Sequence, residues 1–130
     1  MFYLISNNGL LFERVALPLY ESDPHRGYKM KSNLNYAHTT NEFSVKYYTN
    51  VQGLRTDSSR KAISEDKPEN TYRVLFLGPS FTFGWGNNYE DIYPTIISQN
   101  LRVPGKRIET FNLGTPSQSA AMQLCWLKEI

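Results

Sequence analysis

The chain has 130 residues, with 14 lysines and arginines against 12 aspartates and glutamates. The parts before and after residue 70 each carry one net positive charge, so no charge block exists to grip nucleic acid. Hydrophobic residues make up 40% and aromatics 14%, which excludes an acidic disordered tail, a collagen and a coiled coil, and leaves one domain, or one with a sizeable extension, able to bury a core.

Residues 1–20 are apolar only in patches, broken by Asn7-Asn8-Gly9 and by Glu13-Arg14. A membrane helix needs about 18–20 consecutive apolar residues, and a signal peptide needs a basic start before an unbroken apolar run. Neither is expected here, and the compartment stays open. Residues 1–70 read as an N-terminal extension of loops and strands. One strand stands out, Phe43 to Thr49, rich in aromatic and β-branched residues. Asn50-Val51-Gln52-Gly53 reads as a turn. Asp57 to Asn70 is polar and charged and reads as a surface connection. Lys29 and Lys31 beside Tyr28 and Tyr36 are too few to argue for nucleic acid. His25 and His38 sit in polar, asparagine-rich surroundings and are expected to be surface histidines.

The texture changes at Tyr72. Val74-Leu75-Phe76-Leu77 is a continuous apolar run ending at Gly78, the pattern of a strand buried on both faces. A glycine-punctuated loop follows to Gly86. A helix is predicted near 92–101, with Asp91 as its cap, Pro94 in its first turn and Tyr93, Ile96, Ile97 and Leu101 as its apolar stripe. Ile108 to Leu113 reads as a second strand, ended by Gly114. A last helix is expected near 117–128, capped by Ser117, with Ala120, Ala121, Leu124 and Leu127 on one face. Alternating strands and helices predict a right-handed crossover and a parallel, doubly wound sheet.

Ligands of such sheets sit beyond the carboxyl ends of the strands. Ser80 lies two residues past the first strand end, on a loop leading into a helix, where backbone N–H groups can face a developing negative charge. That position suits a serine nucleophile, although a serine capping a loop fits the spacing too. Phe81, Phe83 and Trp85 alternate along this loop; lining a substrate pocket is one reading of them, and core packing beneath the loop is the expected role. Cys125 reads as a small buried hydrophobe. The single cysteine excludes an internal disulfide framework and a cysteine-rich metal site. The loop lacks the lysine and spacing of a P-loop.

The run YRVLFLGPSFTFGWG, the tyrosine-proline helix start and IETFNLGTPSQSA together resemble the opening of SGNH/GDSL-type ester hydrolases. Gly78-Pro79-Ser80 stands where the family has Gly-Asp-Ser, and Asn112-Leu113-Gly114 is similar to its second block. Thr49 to Arg55 is similar to a segment that often precedes the catalytic domain. The resemblance implies an incomplete flavodoxin-like three-layer α/β/α sandwich beginning at residue 71. It also implies Ser80 as nucleophile, Gly114 as an oxyanion-hole donor, and ester or acetyl substrates, often on carbohydrate, with no metal or organic cofactor. Two departures stand beside it. Pro79 replaces the aspartate, removing a carboxylate and an N–H. The family's third block and its downstream aspartate and histidine have no counterpart, so the chain is expected to be an N-terminal piece without activity, its last strand left as an open sheet edge. A non-catalytic binder of carbohydrate or a partner, and a phosphate- or flavin-binding module, remain as alternatives. Oligomeric state is left open.

Overall fold

The computed structural model describes residues 18–128. The reading of residues 1–20 therefore falls largely outside the described residues. Among those described, no helix is long and apolar enough to cross a membrane.

Strands β1 (Tyr20–Asp23) and β2 (Gly27–Met30) form an antiparallel hairpin, with Tyr20 opposite Met30. Asp23 Oδ1 closes its tip by accepting the His25 and Arg26 N–H groups at 3.1 and 2.8 Å, the local bonding for which aspartate is favoured in turns. Strands β3 (Asn35–Thr39) and β4 (Ser44–Thr49) form a second hairpin, in which Val45, Tyr47 and Thr49 alternate inward. The turn predicted at 50–53 is present. Asn50 Oδ1 accepts the Gln52 and Leu54 N–H groups, and Gln52 bonds both backbone groups of Ile63. These amides pin the polar connection of residues 57–70 to the sheet.

Strand β5 (Arg55–Thr56) pairs antiparallel with β4 and, through Arg55 opposite Asn112, with β7 (Arg107–Asn112). Strand β6 (Thr71–Phe76) runs parallel to β7. The result is a five-stranded mixed sheet in the order β3-β4-β5-β7-β6. Strands from both sides of residue 70 share it.

This architecture corrects the fold expected from the resemblance. The described residues are mostly sheet, 32% strand against 20% helix, and do not form a helix-flanked three-layer sandwich. Helix α1 (Ser80–Phe83) has four residues, α2 (Tyr93–Asn100) eight and α3 (Ala120–Trp126) seven. The β6–β7 pair is the only parallel pairing among the described residues, because β5 takes the other side of β7 in the antiparallel sense. The open edge is corrected too: β7 lies inside the sheet, and β6 is at the edge.

Both predicted helices form, but each turns a different face inward. In α2 the buried residues are Pro94 and Thr95, while Ile96 is 47% exposed and Tyr93 and Ile97 are also exposed. Asp91 belongs to a preceding 3-10 turn, and the α2 cap position is Ile92. In α3 the buried residues are Gln123 and Trp126, whereas Leu124 and Leu127 face outward. Its cap is Ser119, which accepts the Met122 N–H at 3.4 Å; Ser117 instead adopts a positive φ of 64°. Specific partners outweigh aliphatic periodicity here. Gln123 bonds the β6–α1 loop, and the Trp126 ring lies 3.7 Å from the Arg26 guanidinium, which is itself paired with Asp23 at 2.6 Å.

Two core clusters result. One gathers Leu19, Met30, Leu34, Val45, Tyr47 and Phe83; the other gathers Leu54, Leu113 and Trp126 with Leu75, Leu77 and Phe111.

Candidate functional site

The parallel pair β6–β7 carries two loops beyond its carboxyl ends, residues 77–79 and 113–119. Leu113 N–H donates to Phe76 O at 2.8 Å, and Thr115 N–H to Gly78 O at 3.0 Å, so the pairing continues past both strands. Helix α1 begins at once, with Ser80 as its first residue and Pro79 before it. Pro79 O accepts the Thr82 and Phe83 N–H groups, and Gly84 closes the turn in the left-handed region at φ 83°, where glycine carries no side-chain penalty.

Side-chain amides hold this corner. Gln123 Oε1 accepts the Gly78 N–H at 3.2 Å, and its Nε2 donates to Gly78 O at 3.0 Å. That nitrogen also donates to Gln118 Oε1, and Gln118 Nε2 donates to Tyr28 O at 2.7 Å. Tyr28 Oη in turn donates to Pro116 O. Asn112 Nδ2 donates to Thr82 O at 2.6 Å, and its Oδ1 accepts the Gly114 N–H at 2.9 Å. The hydroxyls of Thr82 and Tyr93 lie 2.9 Å apart. Buried amides need such partners, and these all have them.

Ser80 stands half-buried at the start of α1, and its hydroxyl makes no hydrogen bond among the described residues. Gly114 is buried under the second half of α1. A Cβ there would strike the Phe83 nitrogen and the Thr82 carbonyl carbon, which only glycine avoids. Its N–H points at Asn112 rather than outward. The structure thus brings the Gly114 loop against α1 but engages the very N–H that the oxyanion role needs.

Neither histidine is placed to serve Ser80. His25 is exposed at the hairpin tip, where its carbonyl accepts the Cys125 thiol at 3.7 Å. His38 is not at the surface, as its polar sequence neighbours suggest; it is 7% exposed, boxed by Tyr36, Phe43, Tyr47 and Trp85. Burial holds its imidazole below the ordinary value of 6.5. Cys125 is half-buried rather than core. Among the loop aromatics, Phe83 is buried and Trp85 packs on the core, but Phe81 is 87% exposed. No group of metal-ligating side chains exists among the described residues.

The N–H groups of Gly78, Thr82, Phe83, Gly84 and Trp85 are all engaged within the chain, whereas those of Ser80 and Phe81 at the start of α1 have no partner among the described residues. Arg55 lies beneath the loop, 1% exposed, over the rings of Tyr47, Phe83 and Tyr89 at 4.7, 5.1 and 5.9 Å. It donates to Lys46 O and Asn87 O, both at 3.2 Å. Burial lowers its pKa to about 10, so it stays charged at neutral pH.

Sequence reasoning missed Gln118, Gln123 and Arg55. Only the Gln123–Trp126 spacing signalled the inward face of α3, and it was outnumbered by aliphatic residues. No family model matches the sequence, and no curated protein matches it either.

Proposed function

We propose that this chain carries the nucleophile-bearing part of an SGNH/GDSL-type ester-hydrolase site, directed at acyl or acetyl esters such as those on carbohydrate, and that it does not turn esters over by itself. The observation that carries this reading is Ser80: a hydroxyl on the first helical turn after a parallel strand, with no hydrogen-bond partner among the described residues. In acyl transfer, Ser80 Oγ attacks the ester carbonyl carbon, the alkoxide leaves, and the hydroxyl proton passes to a base. General-base help is worth about 10²–10⁴ in rate. His38 is buried and bonded to Tyr47, and His25 lies at the hairpin tip, so neither histidine is offered as the proton acceptor. Pro79→Asp restores no base and should leave the rate unchanged.

Purified wild type and Ser80→Ala are compared on p-nitrophenyl acetate, with and without imidazole as an external base. Equal background rates are expected without imidazole, and a Ser80-dependent excess with it. Equal rates with imidazole overturn the esterase reading. Robust Ser80-dependent turnover without imidazole overturns the missing base.

A second reading, a non-catalytic binder of carbohydrate or a partner, is favoured by Phe81, whose large apolar side chain stands in solvent next to Ser80. Saccharide-induced shifts of the Phe81 ring resonances, equal in wild type and Ser80→Ala, separate it from the first.

A further inference from the structure

Tyr47 Oη stands between two partners. It accepts the Gly86 N–H at 2.9 Å and lies 3.2 Å from His38 Nδ1. A phenol has one proton to give. With Gly86 donating to the oxygen, the phenol proton remains available to His38, and that arrangement corresponds to the Nε2–H tautomer with Nδ1 as acceptor. The segment after α1 is held at three successive residues by this neighbourhood. His38 packs edge-on to Trp85 with centroids 4.9 Å apart, Tyr47 takes the Gly86 N–H, and Arg55 donates to Asn87 O at 3.2 Å.

We propose that His38, Tyr47 and Arg55 form an acid-sensitive latch on residues 85–87, closed while the imidazole is neutral and opened by its protonation. Protonation places a hydrogen on Nδ1. Two donors, His38 Nδ1–H and Gly86 N–H, then converge on one phenol oxygen, and the phenol proton loses its acceptor. A second cation also enters the aromatic cluster that already holds Arg55 over the Tyr47 ring. The groups facing His38 are Tyr36 beside it on β3, Val45 and Tyr47 on β4, Phe43 before β4, and Trp85. Only the two tyrosines titrate, and Arg55 is the charged group tied to them; no carboxylate contacts the ring among the described residues. Burial therefore acts unopposed, and the imidazole is driven below 6.5. The latch is fully closed above that value and opens as pH falls through the lower folded value.

The test is a pH titration of the whole chain by NMR from pH 8 downward, following both histidines, the Gly86 amide and the Trp85 indole N–H. At neutral pH His38 is expected as the Nε2–H tautomer. Its midpoint should lie below 6.5, and the Gly86 and Trp85 signals should move with that midpoint while α3 signals stay in place. His38→Gln should abolish the Gly86 and Trp85 titration. Tyr47→Phe should uncouple Gly86 from His38, and if that variant does not fold, His38→Gln alone decides. A His38 midpoint at or above 6.5, an Nδ1–H tautomer, a Gly86 signal unmoved through the His38 titration, or a Gly86 titration that survives His38→Gln overturns the proposal. So does loss of all native signals together, which would be unfolding of the chain rather than release of a segment.

Discussion

Asn112 shows how one amide joins two elements. It sits at the end of β7, 3% exposed, and satisfies the Thr82 carbonyl with one end and the Gly114 N–H with the other. Asn112→Ala leaves both backbone groups buried without partners, each worth about 1–3 kcal/mol. The expected loss is about 2–4 kcal/mol of unfolding free energy with an unchanged denaturant slope, measured by urea denaturation. A loss under about 1 kcal/mol would mean that water replaces the amide and that the corner is looser than described. Asn112-Leu113-Gly114 was legible as a unit in the sequence. What Asn112 bonds was not, because Thr82 is thirty residues away and nothing local points to it. His38 makes the same point in reverse. Its sequence neighbours are polar, yet cross-strand pairing with Val45 turns it into the core.

At the scale of elements, the β1–β2 hairpin docks on α3 through charge and aromatic contact. Asp23 pairs with Arg26, and Arg26 covers Trp126. The Arg26 side-chain hydrogen bond is the largest cause that holds the Asp23 carboxyl at about 2, below its ordinary 3.8. A carboxyl depressed in the folded state contributes stability that is whole above the unfolded value and is lost as pH falls toward the folded one. Stability of the wild type should therefore fall between about pH 4 and pH 2 more steeply than that of Asp23→Asn, in urea denaturation repeated across that range. Parallel curves for the two proteins would show that the pair carries no such linkage. The helices themselves were legible in position, from Pro94 in the first turn of α2 and the apolar periodicity of both. Their inward faces were not. Periodicity reports which residues share a face, whereas Ile96 lies outward because the sheet beneath α2 covers its other side, and Leu124 yields to Gln123 because Gly78 offers two bonds to an amide.

For the whole molecule, the consequential contact is the single β5–β7 register pair, Arg55 opposite Asn112. It merges the strands before residue 70 with those after it into one sheet, and Phe83 and Trp85 from the later part complete a core built on Leu19, Met30 and Tyr47. Trp85 reports on that core and Trp126 on the other. Shared strands and shared core predict one cooperative transition. Fluorescence of Trp126→Phe, which follows Trp85, and of Trp85→Phe, which follows Trp126, should each coincide in midpoint with far-ultraviolet circular dichroism of the same variant. Separate transitions within one variant would instead indicate two folding units divided near residue 70.

From the sequence alone, the turn residues determined the bend at residues 50–53, the apolar runs determined that β4, β6 and β7 are strands, and strand–helix alternation determined that β6 and β7 run parallel. Those signals are local, set by each segment's own backbone and side chains. Tertiary structure alone decided that β5 inserts beside β7, that the sheet is mixed rather than doubly wound, that His38 is buried against Tyr47, and that the Gly114 N–H belongs to Asn112. Each of these is a choice among partners distant in sequence, settled by which pairing satisfies buried polar groups and covers apolar surface at once, and no single segment contains that information.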